Sequence, residues 1–333
     1  MAKCLVTGGA GFMGAHVARC LLDRGHAVVV LDDLSGGFLE NVPPEANFVE
    51  GSVTDDVLIS RLFARERFDY VYHLAAYAAE GLSHFIKRYN YANNVIGSVT
   101  LINAAVNHNV DCLAFTSSIA VYGAGQVPML ESLRPEPEDS YGIAKLTVEQ
   151  ELAVSKEMFG LDYVIFRPHN VYGELQNVGD RYRNVLGIFM NQILNEQPLT
   201  IFGDGEQTRA FSYIDDVAPV IADAPTIADA RCEIFNVGAD VPYSVNDLAD
   251  AVKKAMGVPE HPVRYVEARN EVIHAFSDHS KVERVFRVRA STSLDEGVKR
   301  MAEWVKKHGP RSTSPFSNIE IERNLPATWR QDA

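Results

Sequence analysis

The stretch Lys3-Cys4-Leu5-Val6-Thr7-Gly8-Gly9-Ala10-Gly11-Phe12-Met13-Gly14 decides the fold of this 333-residue chain. Its first five residues form an apolar run typical of a buried parallel strand. The glycines then follow the spacing Gly-x-Gly-x-x-Gly, and residues 15–24 have helical periodicity that stops at Gly25. Glycines at a strand-to-helix turn let backbone N–H groups approach a pyrophosphate at the positive end of the helix. The stretch therefore predicts a dinucleotide-binding turn.

Strand-like and helix-like segments alternate from this turn as far as Arg167. The predicted strands after the first cover residues 26–31, 48–50, 70–74, 112–116 and 163–167. The predicted helices after the first cover residues 56–65, 91–107 and 141–159. This alternation predicts an α/β fold with a doubly wound parallel sheet, the Rossmann fold.

The alternation breaks after Arg167, which predicts a smaller, interleaved C-terminal substrate lobe. Its predicted helices cover 184–194, 244–256 and 293–307, and short strands are expected at 199–202, 234–237 and 263–266. We assign residues 1–172 to the sheet domain, with returning segments near 211–240 and 273–289. Residues 173–210 and 241–333 are assigned mainly to the substrate lobe. A ligand is expected in the cleft at the carboxyl ends of the strands.

Composition narrows the class of protein. The net charge of −13 argues against nucleic-acid or membrane-surface partners, because both need basic patches. No apolar run approaches the roughly 18 residues of a membrane span, and the chain enters its first strand at once, which leaves no room for a signal peptide. The four scattered cysteines are expected to be buried thiols in a reducing cytoplasm. No His, Cys, Asp or Glu cluster has metal-ligand spacing, so no metal is predicted.

Asp32 indicates which dinucleotide the turn would bind. It ends the second strand, about 20 residues after the glycines. A carboxylate there accepts hydrogen bonds from the adenosine 2′-hydroxyl and repels a 2′-phosphate. No Arg occupies residues 33–37, so NAD is favoured over NADP. For the neighbouring Asp33, a ligand role and a solvated turn carboxylate are equally good interpretations.

Tyr141-Gly-Ile-Ala-Lys145 carries the candidate chemistry. A Tyr and a Lys four residues apart lie on one face of a helix. The Lys ammonium and the positive ring of a bound nicotinamide would lower the Tyr pKa toward the working pH. Such a Tyr can take a proton from a sugar hydroxyl while the cofactor takes hydride from the same carbon. The pattern alone is weak, but here it follows a dinucleotide turn and the strand-end pair Ser117-Ser118.

Seven segments of the chain resemble the extended short-chain dehydrogenases/reductases, and within them the nucleotide-sugar 4-epimerases of the UDP-glucose 4-epimerase type. The segments cover residues 7–14, His73-Leu-Ala-Ala76, Asn94-Val-Ile-Gly97, Ser117-Ser-Ile-Ala-Val-Tyr-Gly123, Tyr141 with Lys145, Arg167-Pro-His-Asn-Val-Tyr-Gly173 and Arg209-Ala-Phe-Ser-Tyr-Ile-Asp-Asp-Val217. They span about two thirds of the chain. Two departures occur. Many members carry Gly-Asp just after the third strand, where this chain has Gly51-Ser52, and some carry a Lys after the His73 strand, where this chain has Tyr77-Ala-Ala-Glu80.

The resemblance implies roles for individual residues. Ser118 would hydrogen-bond the sugar O4 with help from Ser117 or Thr116, Tyr141 would be the base, and Lys145 would be its electrostatic partner. The implied cofactor-binding residues are Gly8, Gly11, Phe12, Met13, Gly14, Asp32, Asp33, Leu34, Ser35, Gly36, Ser52, Val53, Leu74, Ala75, Ala76, Asn94, Thr116, Tyr141, Lys145 and Pro168. The implied substrate-binding residues are Ser117, Ser118, Asn170, Arg183, Asn184, Thr200, Phe202, Arg209 and Arg269. His73 is expected to support its strand end by hydrogen bonds, and a homodimer joined by the helices at 91–107 and 141–159 is implied.

The residues after Ser118 select among the reactions of this superfamily. Related dehydratases and decarboxylases place an acid there, because elimination or decarboxylation needs another proton-transfer or positioning group. Here those positions are Ile119 and Ala120. A 4-keto sugar can then only take hydride back, so we predict a redox-neutral 4-epimerase that keeps its NAD bound.

The substrate prediction keeps several alternatives. UDP-glucose and UDP-galactose come first. UDP-glucuronate is second, because Arg181 or Arg183 could meet a carboxylate. UDP-N-acetylglucosamine is also possible, because Ala275 stands where a bulkier residue limits N-acetyl sugars in some relatives. Two other classes remain open, namely a net dehydrogenase or reductase and a non-catalytic NAD-binding scaffold or sensor.

Overall fold

Seven parallel strands form the central sheet of the computed structural model, which describes residues 1–125, 127–268, 272–312, 316–326 and 329. The strands of the chain are β1 Lys3–Thr7, β2 Ala27–Asp32, β3 Asn47–Glu50, β4 Tyr70–His73, β5 Cys112–Thr116, β6 Asp162–Pro168, β7 Val171–Tyr172, β8 Leu199–Phe202, β9 Thr208–Ala210, β10 Ser212–Tyr213, β11 Glu233–Val237, β12 Pro242–Ser244, β13 Val263–Val266 and β14 His274–Ala275. The central sheet has the order β11-β6-β5-β4-β1-β2-β3. The order reverses between β1 and β4, which creates the crevice where such sheets bind ligands. The predicted doubly wound α/β fold is confirmed.

Helices cover both faces of this sheet. The described helices are α1 Phe12–Asp23, α2 Asp56–Glu66, α3 Glu80–Ser83, α4 Lys87–Tyr91, α5 Gly97–Asn107, α6 Ser140–Phe159, α7 Val185–Leu194, α8 Ile214–Asp223, α9 Val245–Met256, α10 Ser280–Phe286 and α11 Leu294–His308. The apolar residues of one sheet face pack with α1 and α8, and those of the other pack with α2, α5 and α6. Strands buried on both faces explain the continuous apolar runs in the sequence.

The predicted helix at 91–107 is interrupted. Tyr91 is the last residue of α4, a π-helical turn at Ala92–Ile96 follows, and the rest of the predicted helix is α5. Such turns are frequent at functional sites. Here the turn contains the buried Asn94, whose side chain amide contacts the loop after β4.

The substrate-lobe region contains short strands that the sequence pattern did not predict. These are β9, β12 and β14, which form one small sheet. The predicted strands at 199–202 and 263–266 are β8 and β13, and they pair in parallel. Ser244 opens α9 with a full capping box, in which Ser244 and Asp247 accept each other's backbone N–H. The strand β11, from the segment near 211–240, pairs with β6 at the sheet edge. The division of the chain into two lobes stays a prediction.

Candidate active site

One cavity of about 820 Å³ follows the carboxyl ends of the central strands. Its wall contains every predicted cofactor and substrate residue except Leu34, Ser52 and Asn94 among the described residues. Arg269 lies outside the described residues. The cavity size suits a bound small molecule or cofactor, and its wall brings together residues from the first and the last third of the chain.

The glycine turn forms a cradle with no room for side chains. Gly8 has a φ of +69°, and a Cβ there would lie 2.7 Å from Ala75 N. A Cβ on Gly14 would lie 2.2 Å from the Gly8 carbonyl oxygen. Among the described residues, no side chain caps the N-terminus of α1, whose N-cap is Gly11. The first-turn N–H groups are thus presented to the cavity, which fits the pyrophosphate of a dinucleotide.

Asp32 joins this cradle to the loop after β2. Its carboxylate accepts hydrogen bonds from the backbone N–H groups of Ala10 at 3.0 Å and Leu34 at 2.8 Å. Burial raises its pKa, and those backbone hydrogen bonds oppose the rise. Leu34 itself does not line the cavity and has a φ of +59°, so its contribution is a backbone turn that aims Asp32.

Ser118, Tyr141 and Lys145 lie together on the wall of the cavity that the glycine turn also lines. The Ser118 hydroxyl hydrogen-bonds the Tyr141 phenol, and Lys145 Nζ lies 5.6 Å from the centre of the Tyr141 ring. Lys145 Nζ donates a 2.7 Å hydrogen bond to the Thr116 carbonyl oxygen and lies over the Phe115 ring. The predicted face of α6 therefore brings the phenol, the hydroxyl and the ammonium together.

Burial has the largest effect on the pKa values of Tyr141 and Lys145. It raises the pKa of Tyr141, with Glu80 and Asp139 adding to the rise and the Ser118 hydrogen bond and Arg183 opposing it. Burial lowers the pKa of Lys145 to about 7, against an opposing contribution from Glu149. The chain's own residues thus do not produce the predicted lowering of the Tyr141 pKa. The part that depends on a positive nicotinamide ring stays a prediction.

Ser117 corrects the sequence interpretation. Its hydroxyl was expected to assist Ser118, but it donates a 2.5 Å hydrogen bond to Glu149 Oε1 and is almost fully buried. Adjacent residues of an extended chain point to opposite sides. Ser118 therefore faces the phenol while the Ser117 hydroxyl faces away from it.

Asn94 and Ser52 are also placed differently from the expectation. Asn94 accepts a hydrogen bond from Tyr77 N and donates to Tyr77 O and to Asn90, so its amide holds the loop after β4. Ser52 hydrogen-bonds Thr54 at the N-terminal side of α2. Neither residue lines the cavity, although Val53 and Asn93 do. Both were assigned from the resemblance of local motifs, which does not fix the direction of a side chain.

Arg183 has partners within the protein. Its guanidinium donates to Asp180 Oδ2 through Nε at 2.7 Å and Nη2 at 2.5 Å, and it stacks over the Tyr77 ring. A Cβ on Gly36 would lie 3.2 Å from Arg183 Nη2. Arg183 therefore joins the loop before α7 to the loop after β2. This placement weakens its predicted role as a partner for a sugar carboxylate.

The remaining substrate candidates line the cavity around α7 and the small strands. Arg209 donates to the carbonyl oxygens of Val272 and Ile273, which ties β9 to the segment before β14. Asn184 is the N-cap of α7, and Thr200 and Phe202 lie on β8. Asn170 donates to the Ala210 carbonyl oxygen. Their roles as ligands stay predictions.

A buried ion pair supports the strand ends, and sequence reasoning missed it. Arg167 donates to both carboxylate oxygens of Glu149, at 2.9 and 2.5 Å, and lies over the Tyr122 ring. Glu149 also accepts from Ser117. The available signal was the position of Glu149, one helical turn after Lys145. The pair fixes α6 against the ends of β5 and β6.

Two buried histidines form a second network. His169 donates through Nδ1 to the Ala210 carbonyl oxygen and contacts His279 Nε2 at 3.1 Å, and His279 Nδ1 contacts Asp240 at 2.6 Å. Burial lowers the pKa of His169 to about 3. His73, as predicted, supports its strand end through hydrogen bonds with Thr7 and Ser98. Burial also lowers the His73 pKa to about 3.

The described residues hold neither a metal-binding cluster nor a membrane-spanning helix. No group of three or more His, Cys, Asp or Glu side chains in that part of the chain could hold a metal ion. No described helix is long and apolar enough to cross a membrane.

The fold and site define an NAD-binding enzyme of the extended short-chain dehydrogenase/reductase class. A family model described as "NAD dependent epimerase/dehydratase family" matches residues 4–238, and the chain belongs to that family. UDP-glucose 4-epimerase of Mycolicibacterium smegmatis is 32% identical over 313 residues, which cover 91% of this chain and 98% of the relative. The predicted family, the enzyme class and the NAD cofactor are thus confirmed.

The similar solved structures are also 4-epimerases, but they act on different sugars. UDP-glucose 4-epimerase of Thermotoga maritima, solved with UDP-glucose, has a TM-score of 0.86 and 34% identity over 92% of this chain and 99% of its own. UDP-glucuronic acid 4-epimerase of Bacillus cereus, solved with UDP-glucuronic acid and NAD, has a TM-score of 0.84 and 28% identity at the same coverage. Similarity alone therefore does not choose the sugar.

Proposed function

We propose that the protein is a UDP-sugar 4-epimerase that interconverts UDP-glucose and UDP-galactose through a transient 4-keto sugar. The observation that carries this proposal is the Ser118–Tyr141–Lys145 group, which shares one cavity with the glycine cradle and is followed by Ile119 and Ala120. The group can move one proton at a sugar hydroxyl. Ile119 and Ala120 offer no second acid that would lead to elimination or decarboxylation.

The residues of the chain carry the proton and hold the sugar. Tyr141 takes the proton from O4, and Ser118 orients that oxygen through its hydroxyl. The glycine cradle and Asp32 would hold NAD, whose nicotinamide would supply a hydride acceptor and donor at C4. The sugar turns over between the two transfers, so C4 is inverted. Tyr141 then returns the proton to O4, and no net oxidation occurs. Lys145, anchored on Thr116, holds its amino group on the same side of α6 as the phenol.

The diphosphate would lie at the N-terminus of α7. This helix has ten residues, and among the described residues no side chain caps its N-terminus at Asn184. Its first-turn N–H groups can therefore bind an anion. Arg209 lies on the same cavity wall and supplies a positive charge. Thr200 and Phe202 would flank the base.

Two other sugars are weaker candidates. UDP-glucuronate is supported by the likeness to the Bacillus cereus enzyme, but Arg183 is already held by Asp180. An N-acetyl sugar is supported by the small, buried Ala275 on the cavity wall. UDP-glucose has neither a sugar carboxylate that needs a cationic partner nor an N-acetyl group that needs extra space. We therefore rank it first.

We also propose a cytoplasmic homodimer. Along α6, Ile143, Val154, Met158 and Phe159 are exposed, and Ile96 is exposed before α5. Apolar side chains exposed on adjacent helices are typical of a protein–protein interface. Analytical ultracentrifugation of wild type and Met158→Glu tests this: a dimer that becomes a monomer supports it, and a wild-type monomer contradicts it.

The deciding experiment is to incubate the purified protein with UDP-glucose, add no NAD, and look for UDP-galactose by chromatography. Product is expected, with no lasting change in nicotinamide absorbance. Steady accumulation of reduced cofactor would instead indicate a net dehydrogenase. NAD binding without conversion of UDP-glucose, UDP-glucuronate or UDP-N-acetylglucosamine would contradict the proposal and support a scaffold or sensor. Tyr141→Phe is the control that separates catalysis from binding.

A further inference from the structure

The C-terminal segment, residues 316–326 and 329, packs against the region between β4 and α4. Leu325 and Trp329 are almost fully buried, in one apolar cluster with Leu82 of α3 and Ile86 just before α4. Burial of this apolar surface holds the segment in place. The segment is therefore part of the packed structure beside α3 and α4.

Glu320 ties this segment to α4. Its carboxylate accepts hydrogen bonds from the backbone N–H groups of Arg88 at 2.9 Å and Tyr89 at 3.0 Å. Its own backbone N–H donates to the Phe85 carbonyl oxygen at 2.8 Å. Ile86, the N-cap of α4, has an apolar side chain that cannot accept the first-turn N–H groups. A carboxylate at the start of a helix satisfies such groups and stabilises the helix, so Glu320 acts as the cap of α4.

Phe316 packs against two tyrosines of the cavity wall. Its ring centre lies 4.9 Å from that of Tyr89 and 5.4 Å from that of Tyr77, and the two tyrosine rings lie 5.3 Å apart. The Phe316 N–H also donates a 3.3 Å hydrogen bond to the Tyr182 hydroxyl. Aromatic rings at these separations attract one another beyond the effect of the area they bury. The rings of Tyr77, Tyr89 and Phe316 therefore form one aromatic cluster.

This aromatic cluster borders the cofactor end of the cavity. Tyr77 and Tyr89 line the cavity together with Ser35 and Gly36, from the loop after β2. The same four residues and Phe316 enclose a smaller recess of about 190 Å³. The Tyr89 phenol also hydrogen-bonds the Ser35 hydroxyl. Because the loop after β2 follows the carboxylate that would bind the adenosine ribose, the cluster lies beside the expected position of the adenosine half of NAD.

We propose that Phe316 and Glu320 are positioning residues of the NAD site, which hold Tyr77 and Tyr89 over the cofactor and slow its release. Glu320 fixes the helix that carries Tyr89, and Phe316 fixes both tyrosine rings. NAD that leaves past these rings has to open the cluster, and the lost ring contacts slow that opening. A redox-neutral enzyme benefits, because one NAD then serves many turnovers. The inference rests on the NAD cofactor and is the same for each of the candidate sugars.

The test measures the rate at which bound NAD is released. Protein loaded with radiolabelled NAD is mixed with excess unlabelled NAD, and the label that stays bound is followed by rapid gel filtration. Phe316→Ala removes two ring pairs and should raise the release rate about tenfold to hundredfold. Glu320→Gln removes the capping charge and should raise it about twofold to fivefold. Phe316→Tyr keeps the ring and should release NAD as slowly as wild type.

Two control variants lie in the same segment. Ile321→Ala shortens an exposed apolar side chain, and Glu322→Gln removes the charge of an exposed carboxylate. Both residues lie outside the described walls of the cavity and the recess. They match Phe316→Ala and Glu320→Gln in chemistry, and both should release NAD at the wild-type rate.

Equilibrium dialysis supplies a second readout that a purely structural role would not change. It measures the dissociation constant and the number of NAD sites for protein freed of its cofactor. Phe316→Ala and Glu320→Gln should raise the dissociation constant by about the factor found for the release rate. A loss of folded protein would instead lower the number of sites and leave the dissociation constant unchanged. Glu320→Gln keeps the size of its side chain and decides the test if Phe316→Ala does not fold.

The outcomes separate the inference from the proposed function. If Phe316→Ala and Glu320→Gln release NAD at the wild-type rate, the inference is wrong. Equally fast release by the two controls would show a general loosening of the segment and would also overturn the roles of Phe316 and Glu320. Wild type that loses its NAD during gel filtration contradicts the inference as well. Protein that shows the expected release rates but converts none of the three UDP-sugars would refute the proposed function and leave the inference standing.

Discussion

Lys145 Nζ donates its 2.7 Å hydrogen bond to the backbone carbonyl oxygen of Thr116, the last residue of β5. The bond fixes the ammonium at the end of the strand that also presents Ser118. Tyr141 lies one helical turn before Lys145 on the same face of α6. The position of the Tyr141 phenol is therefore set by the contact between one helix and one strand end.

Tyr141→Phe should lower kcat by about a hundredfold to ten-thousandfold, the usual contribution of a positioned proton-transfer group. The ring keeps its packing, so bound NAD should be retained. Turnover of UDP-glucose and the cofactor content of the purified protein are the two measurements. A variant that keeps near-normal turnover would remove Tyr141 from the mechanism.

Lys145 should make stability rise with pH above neutrality. Burial lowers its pKa from 10.5 to about 7. Between these values the unfolded chain binds more protons than the folded chain, so the free energy of unfolding increases with pH. The destabilisation is full below about pH 7 and is relieved progressively above it. Urea unfolding at about pH 7 and about pH 8.5 should show a smaller increase for Lys145→Met than for wild type. An equal increase in the free energy of unfolding of the two proteins would show that the Lys145 ammonium is solvated in the folded state.

Glu149→Gln should destabilise the protein by about 3–5 kcal/mol, because it leaves the Arg167 charge buried without its partner. Both side chains are nearly inaccessible, with 2% and 4% of their surfaces exposed. The free energy of unfolding in urea measures the loss. Glu157→Gln, on the exposed side of the same helix, is the control and should change it by less than about 0.5 kcal/mol. A similarly small change at Glu149 would show that the pair contributes little.

Gly14→Ala should destabilise the protein by about 1–3 kcal/mol and release NAD, because the new methyl group would overlap the Gly8 carbonyl oxygen. Gly187→Ala is the matched helical control, since its nearest neighbour, Val178 Cα, would lie at an ordinary 3.4 Å. Thermal unfolding and cofactor content are measured for both variants. Equal behaviour of the two would contradict the close packing of the cradle.

The parts of the site that the sequence predicts are local in the chain. The glycine turn and the Tyr141–Lys145 pair each lie within one turn or one helix, so spacing alone fixes their geometry. The missed contacts join distant segments. His169 and His279 are 110 positions apart, and Asn94, which lies in the π-helical turn, bonds Tyr77 across 17 positions. The direction of Ser117 depends on Glu149, which arrives from another element. These contacts depend on tertiary packing, which the periodicity of apolar residues in the sequence does not predict.

The position of β11 has a consequence for biosynthesis. This strand completes the edge of the sheet beside β6, yet it is translated after the segments that hold Asn184, Thr200 and Arg209. A nascent chain that has emerged only as far as β10 exposes the unpaired edge of β6, and such edges recruit other strands. The segments that hold Asn184, Thr200 and Arg209 must therefore emerge from the ribosome before the sheet can close, and during this interval the growing polypeptide is exposed to aggregation.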